Sequence, residues 1–195
     1  MGNNYRLDHL LAEDLAWYGR PTARALVRHF FLNRTFRPVA TLRLAQHPHR
    51  LVSLLGKAAH RWACGKAAVD LPSNIRAGSG LKLTHGWGAV VSPGTVIGRD
   101  VIIMHGATLG MIEGKSPVIE DGAFIGANAI VIGGIRIGRG ATVSAGAIVA
   151  RDVEPDTMVA SYPSHVVKDH RRPVEKIEYP RPFLKERRPQ GPVTK

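Results

Sequence analysis

Residues 118–153 read VIEDGAFIGANAIVIGGIRIGRGATVSAGAIVARDV, and the spacing within them decides the fold. Aliphatic residues recur every six positions at Ile119, Ile125, Val131, Ile137, Val143 and Val149. Four residues after each stands a small or aliphatic one: Ala123, Ala129, Ile135, Ala141, Ala147 and Val153. A six-residue period fits neither the 3.6-residue turn of a helix nor the alternation of a half-buried strand. It fits a parallel β-helix, where each hexad is one short strand and a turn. The aliphatic residue stacks inward in a ladder, and the small one occupies the tight corner. Gly98, Gly126 and Gly138, each directly after a ladder residue, suit that cramped backbone.

Working upstream, the period continues at Val91, Ile97, Ile103 and Leu109, with Thr95, Val101 and Ala107 at the following offset. Ile75 and Leu81 belong to an earlier phase. The register breaks between Leu81 and Val91 and again between Leu109 and Ile119, each break adding four residues to a hexad. Insertions in a repeat map to loops on one face, often the binding face. The two candidate site loops are therefore THGWG (84–88) and GMIEGKSP (110–117).

The ends differ in kind from this middle. Sixteen of the 21 glycines lie between Gly78 and Gly146. Residues 1–69 carry 11 Lys/Arg against 3 Asp/Glu, residues 70–167 carry 7 against 8, and residues 168–195 carry 9 against 4. Two basic flanks enclose a neutral centre, within a total charge of +12. Helical spacing of apolar residues predicts helices at 22–32, 39–46 and 50–63, with a shorter one at 8–18. Pro21 and Pro38 suit first-turn positions. Five prolines in 173–192 with mixed charge predict an extended basic tail. The expected organisation is a helical region over 1–69, a β-helix over 70–168 and a Pro-rich tail over 169–195.

Composition excludes several classes. At 44% hydrophobic residues the chain is not a disordered one. No apolar run approaches the ~18 residues of a spanning helix. The opening MGNNYRLDHLLAEDL has no apolar stretch behind a basic head, so no secretion signal is expected. One cysteine, Cys64, rules out an internal disulfide and fits a reducing cytoplasm. Few aromatic residues interleave with the basic ones, which argues against nucleic acid.

The hexads, the two loops and the segment DVEPDTMVASYPSHVVK (152–168) resemble the hexapeptide-repeat acyltransferases over residues 65–168. Within them they are most similar to the serine acetyltransferase group and its capsule and exopolysaccharide (colanic-acid-type) O-acetyltransferase relatives. The resemblance implies a mainly β fold, a left-handed parallel β-helix, behind a helical N-terminal region shorter than that of a true serine acetyltransferase. It also implies a homotrimer that uses acetyl-CoA as acyl donor and no metal. In VDLPSNIRAGSGLKLTHGWG (69–88), His85 stands at the position of the catalytic base and Asp70, fifteen residues earlier, at that of the carboxylate orienting it. The chemistry is sound on its own terms: an alcohol becomes a nucleophile when a base takes its proton, imidazole titrates near neutrality, and a carboxylate fixes its tautomer.

The match departs from the family at the acceptor. Thr84 replaces the Asp before the base, and Lys115-Ser116-Pro117 replaces an Arg-His-Pro run in a second loop about four residues shorter. Thr84, Trp87, His105, Lys115 and Ser116 are the candidate acceptor residues, His105 opening the phrase HGATLG (105–110) and being otherwise a coil-corner residue. By position, Gly110, Ala127, Thr142 and Ala145 match the acetyl-CoA groove between subunits, and Lys168 either meets a CoA phosphate or is a solvated lysine. Ser161-Tyr162-Pro163-Ser164 stands where the family has Gly-Val-Pro-Ala.

The expected function is acetylation of a sugar hydroxyl in surface polysaccharide biosynthesis, with serine O-acetylation as the alternative. The neutral Thr84 and Ser116, the shortened loop and the flat face of Trp87 favour the sugar. Arg24, Arg28, Arg34, Arg37 and Arg43 beside Phe30, Phe31 and Leu42 suggest a cytoplasmic protein resting on the inner membrane surface. Two other classes remain. A γ-type carbonic anhydrase needs three zinc-binding histidines, and no pair in 70–160 has ligand spacing. A non-enzymatic β-helix scaffold would not bind acetyl-CoA.

Overall fold

The computed structural model describes residues 7–161. Lys168, the segment 162–168 and the tail over 169–195 lie outside the described residues. Among the described residues thirteen short strands wind into a parallel β-helix with three sheets. The first sheet holds β1 (Arg76–Ala77), β4 (Val96–Ile97), β7 (Val118–Ile119) and β10 (Arg136–Ile137). The second holds β2 (Lys82–Thr84), β5 (Ile102–Met104), β8 (Phe124–Ile125), β11 (Thr142–Val143) and β13 (Met158–Val159). The third holds β3 (Val90–Val91), β6 (Thr108–Gly110), β9 (Ile130–Ile132) and β12 (Ile148–Val149). Each strand pairs with the strand one coil along, so a residue recurs at the same place in successive coils.

The inward ladders are the aliphatic hexad positions. Leu83, Ile103, Ile125 and Val143 pair in register along the second sheet and are all buried. The offset positions Val101, Ala123 and Ala141 are fully buried between them. In the first coil the structure corrects the expected phase. Val96 pairs with Arg76 and Ile103 with Leu83, so the ladder residues are Ala77 and Leu83. Ile75 and Leu81 fill the offset columns with Thr95 and Val101, and both are buried there. The first register break consequently adds two residues rather than four. The second adds four as expected, folded as a hairpin closed by Ile112 and Lys115 over Glu113 and Gly114. Val153 is also shifted: it bridges Ile137 as a ladder residue, because the last corner is two residues short.

Four helices precede the coils: α1 (Leu7–Ala16), α2 (Ala23–Leu32), α3 (Phe36–Ala45) and α4 (Arg50–Ala67). Thr22 caps α2 by accepting from the Ala25 N–H, and Asn33 Oδ1 accepts from the N–H groups of Thr35 and Phe36 at the start of α3. α4 runs a turn past its expected end and stops at Ala68, which adopts φ 54°. α3 crosses α4 at Gly56, where a Cβ would lie 2.4 Å from the Leu44 backbone, so no larger residue fits.

The helices share the core of the coils. Val39, Leu42, Cys64 and Ala67 join the cluster that contains the ladders. Burial pushes the Cys64 thiol up to about 11. Burial likewise lowers the pKa of His60, whose Nε2 donates to the Leu71 carbonyl at 2.6 Å. The deepest polar contact is Arg43 with Asp14, both 0% exposed. Arg43 donates to both Asp14 oxygens at 2.8 and 2.9 Å and to the carbonyls of Ala77 and Gly78 at 2.6 Å. Asp14 also accepts from the Leu81 N–H. This cluster ties α1 and α3 to the first coil.

That burial removes most of the basis for the membrane reading. Arg43 and Leu42 are inside the protein. The guanidinium of Arg34 covers Trp87, and that of Arg37 lies over Trp62. Arg24 and Arg28 are exposed on α2 with Val27, Phe31 and Leu32. Among the described residues no helix is long and apolar enough to cross a membrane.

Candidate active site

The two extra residues of the first break sit at the corner where the second sheet turns into the third. A column of left-handed residues marks this corner in every coil: Ala68, Gly88, Gly106, Asn128 and Gly146, with φ between 54° and 69°. In the first coil the insertion places two more residues at positive φ, His85 at 59° and Gly86 at 45°. A left-handed conformation costs a non-glycine residue of order 1–3 kcal/mol and concentrates at functional positions. His85 follows directly on β2, its ring is exposed, and its carbonyl accepts from the Trp87 N–H at 2.7 Å. Gly86 is buried under Thr35, whose methyl would lie 3.0 Å from an added Cβ. The helical region therefore clamps the loop that carries the imidazole.

Register then sets the neighbours of His85. Thr84 pairs with Met104, so His105 lies one coil along, its ring 6.0 Å from that of His85 and edge-on to it. The Asn128 N–H donates to the His105 carbonyl and the Gly146 N–H to the Ala127 carbonyl. His85, His105, Ala127 and Ala145 thus occupy successive coils at one corner. At about 4.8 Å per coil, three steps span roughly 14 Å. Thr142 lies three residues before Ala145 in β11. His105 Nδ1 is buried without a hydrogen-bond partner. Below the two histidines the column carries only small side chains, Ala127 half-buried and Ala145 exposed.

Asp70 bridges Val90, two residues beyond Gly88, and so heads the third sheet one coil before His85. No hydrogen bond joins it to His85 among the described residues.

The other expected residues are elsewhere. Gly110, Lys115 and Ser116 sit at the next corner, where the third sheet turns into the first. Ser116 donates to the Pro93 carbonyl at 2.7 Å, and Lys115 packs over Gly134. The two groups of expected residues therefore lie at different corners, separated by the width of the third sheet. Hollows of about 320 and 330 Å³ at Ala147–Ala160 and around Val96 and Arg139 contain none of the expected site residues. Among the described residues no three metal-ligating side chains come together.

Sequence reasoning missed one contributor. Arg34, between α2 and α3, places its guanidinium carbon 3.7 Å from the centroid of the Trp87 ring. Its Nη2 reaches the Ala67 carbonyl at 3.4 Å, three residues before Asp70. No spacing in the chain announces a contact across 53 positions.

Hexad coils with a histidine-bearing corner define a class of β-helical transferases, and the comparisons agree. Residues 116–151 match the family described as bacterial transferase hexapeptide (six repeats). The chain belongs to the hexapeptide-repeat acyltransferase family. Serine acetyltransferase 4 of Arabidopsis thaliana is 41% identical over 103 residues, 51% of this chain and 29% of that protein. Soybean serine acetyltransferase, solved as the apoenzyme, superposes with a TM-score of 0.64 at 30% identity, over 82% of this chain and 68% of that one. Serine acetyltransferase of Neisseria gonorrhoeae, solved in complex with serine, gives 0.63 at 30% identity, over 80% and 67%. The chain spans about a third of the length of the first curated relatives it matches, 29% and 32%.

Proposed function

We propose that the protein is an acetyl-CoA-dependent O-acetyltransferase whose acceptor is the hydroxyl of serine. The observation that carries the reading is the corner column, with His85 held in a left-handed turn at its head and His105, Ala127 and Ala145 below it. His85 takes the hydroxyl proton as the acceptor oxygen bonds to the thioester carbonyl carbon. The resulting imidazolium returns that proton to the departing sulfur, so O-acetylserine and free CoA are the products. Asp70 steadies the imidazolium and its tautomer. Thr84 flanks the base, and Ala127, Thr142 and Ala145 line the donor.

The half-site at Gly110, Lys115 and Ser116 belongs to the same centre once copies assemble. A threefold ring sets the second corner of one copy against the first corner of its neighbour and closes the groove.

Serine replaces the sugar acceptor expected from the sequence for two reasons. The named relatives are serine acetyltransferases. One face of Trp87 is covered by Arg34, which leaves a sugar ring only the other face of an indole that is 56% exposed. The sugar reading retains the neutral Thr84 and the inward hydrogen bond of Ser116 as support. Among the described residues, the exposed face of α2 is what remains in support of membrane association.

Release of free CoA, followed with serine and with a panel of sugars and oligosaccharides, tests the acceptor. Serine turnover with kcat/KM of about 10⁴ M⁻¹s⁻¹ or more is the expected result. Turnover on a glycan with none on serine overturns it.

A further inference from the structure

We propose that Arg34 binds the carboxylate of the acceptor, a proposal that rests on the serine reading above. An amino acid brings a carboxylate to the base, and a buried or half-buried carboxylate requires a cation. The second loop does not supply one to His85 in the same chain, since Lys115 lies at the other corner over Gly134. Thr84 and Trp87, the near neighbours of His85 in the loop, are uncharged. Arg34 is the cation that the helical region lays on this loop, stacked on the ring two residues after the base.

Its geometry suits the task. A guanidinium lying over an indole leaves its terminal N–H groups at the ring's edge, and a pair of them matches the two oxygens of a carboxylate. The contact from Nη2 to the Ala67 carbonyl is 3.4 Å, beyond the 2.7–3.2 Å of a good N–H···O bond. Nε is buried without a partner and is closed to a ligand, so a carboxylate would meet the terminal Nη1 and Nη2. The side chain is held by stacking on Trp87, and its one hydrogen bond among the described residues is the long contact to the Ala67 carbonyl. Its position is fixed from below, because Asn33 and Thr35 on either side are locked by the hydrogen bonds that start α3. Arg34 therefore spans the Ala67 end of the segment leading to Asp70 and the loop bearing His85.

The contrast between L-serine and serinamide tests this, since the amide keeps the hydroxyl and ammonium but loses the carboxylate. The wild-type protein is expected to prefer serine. In Arg34→Gln the serine KM should rise about 10–100-fold, the range of a lost hydrogen bond to a charged group, with kcat and the acetyl-CoA KM little changed. Serinamide kinetics should stay as they were, and Arg34→Lys should recover part of the serine KM. Equal losses on serine and serinamide would overturn the proposal, leaving Arg34 as a support for the loop, and so would an unchanged serine KM. Melting curves of both variants separate these outcomes from unfolding. If the wild-type protein acetylates sugars and not serine, the acceptor reading itself has failed, and the variants are not needed to show it.

Discussion

Replacing His85 with Ala lowers acetyl transfer by roughly 10²–10⁴-fold, the loss expected when a general base is removed. Acetyl-CoA binding should survive, because the proposed donor groove runs past Ala127 and Ala145 further down the column, with Thr142 beside it. The backbone at His85 is left-handed, with φ 59°, and alanine takes that conformation at a cost. Asn is the better companion variant: it accepts a left-handed backbone readily and has no basic nitrogen. His85→Asn should match His85→Ala in activity while melting closer to the wild type. Asp70→Asn should cost less than either, since the carboxylate only orients. Near-wild-type turnover in both His85 variants, measured by thiol release, would remove His85 from the chemistry.

The largest effect on stability is expected at the Arg43–Asp14 pair. Neither side chain touches solvent, and Arg43 satisfies two backbone carbonyls of the first coil besides the carboxylate. Arg43→Ala strands a buried charge on Asp14 and orphans the carbonyls of Ala77 and Gly78. Breaking a buried pair from one side costs about 3–5 kcal/mol. For a chain of this size that is a fall of roughly 6–20 °C in melting temperature. Replacing both residues, Asp14→Leu with Arg43→Met, should cost less than the sum of the two single changes, because no charge is left unpaired. Calorimetry decides between this and additivity, which would show that the two residues do not act as a pair. The loss should reach the candidate site as well, since α1 and α3 hold the turn in which Thr35 covers Gly86.

The coils were legible in the sequence because a ladder repeats. Every hexad from Val91 to Val149 presents the same choice between an inward aliphatic and a corner residue, and register follows from counting. The first coil defeated that count for a physical reason. Ile75 and Leu81 are apolar and buried although they occupy offset columns, so hydrophobicity alone cannot tell them from ladder residues. Pairing of Arg76 with Val96 and of Leu83 with Ile103 settles the phase, and backbone pairing leaves no mark on composition.

The same division runs through the site. His85, His105, Ala127 and Ala145 fall in line because their spacing follows the coils. Sequence alone puts Arg34 and Arg43 on a basic face for the membrane surface, since nothing local shows that one stacks on Trp87 and the other is sealed inside. Contacts made across 53 residues by Arg34 and Trp87, or across 29 by Arg43 and Asp14, belong to the tertiary fold alone. Lys115 and Ser116 show the converse limit: a loop found by its insertion lands at a different corner from His85, separated from it by the third sheet.

The most direct test of the account is a crystal structure of the protein with CoA bound. The thiol should lie beside His85 and His105, with the pantetheine arm running past Ala127 and Ala145 and the Gly110 corner of a second copy closing the groove. CoA seated on another face of the coils, or bound wholly within one chain away from His85, would contradict it.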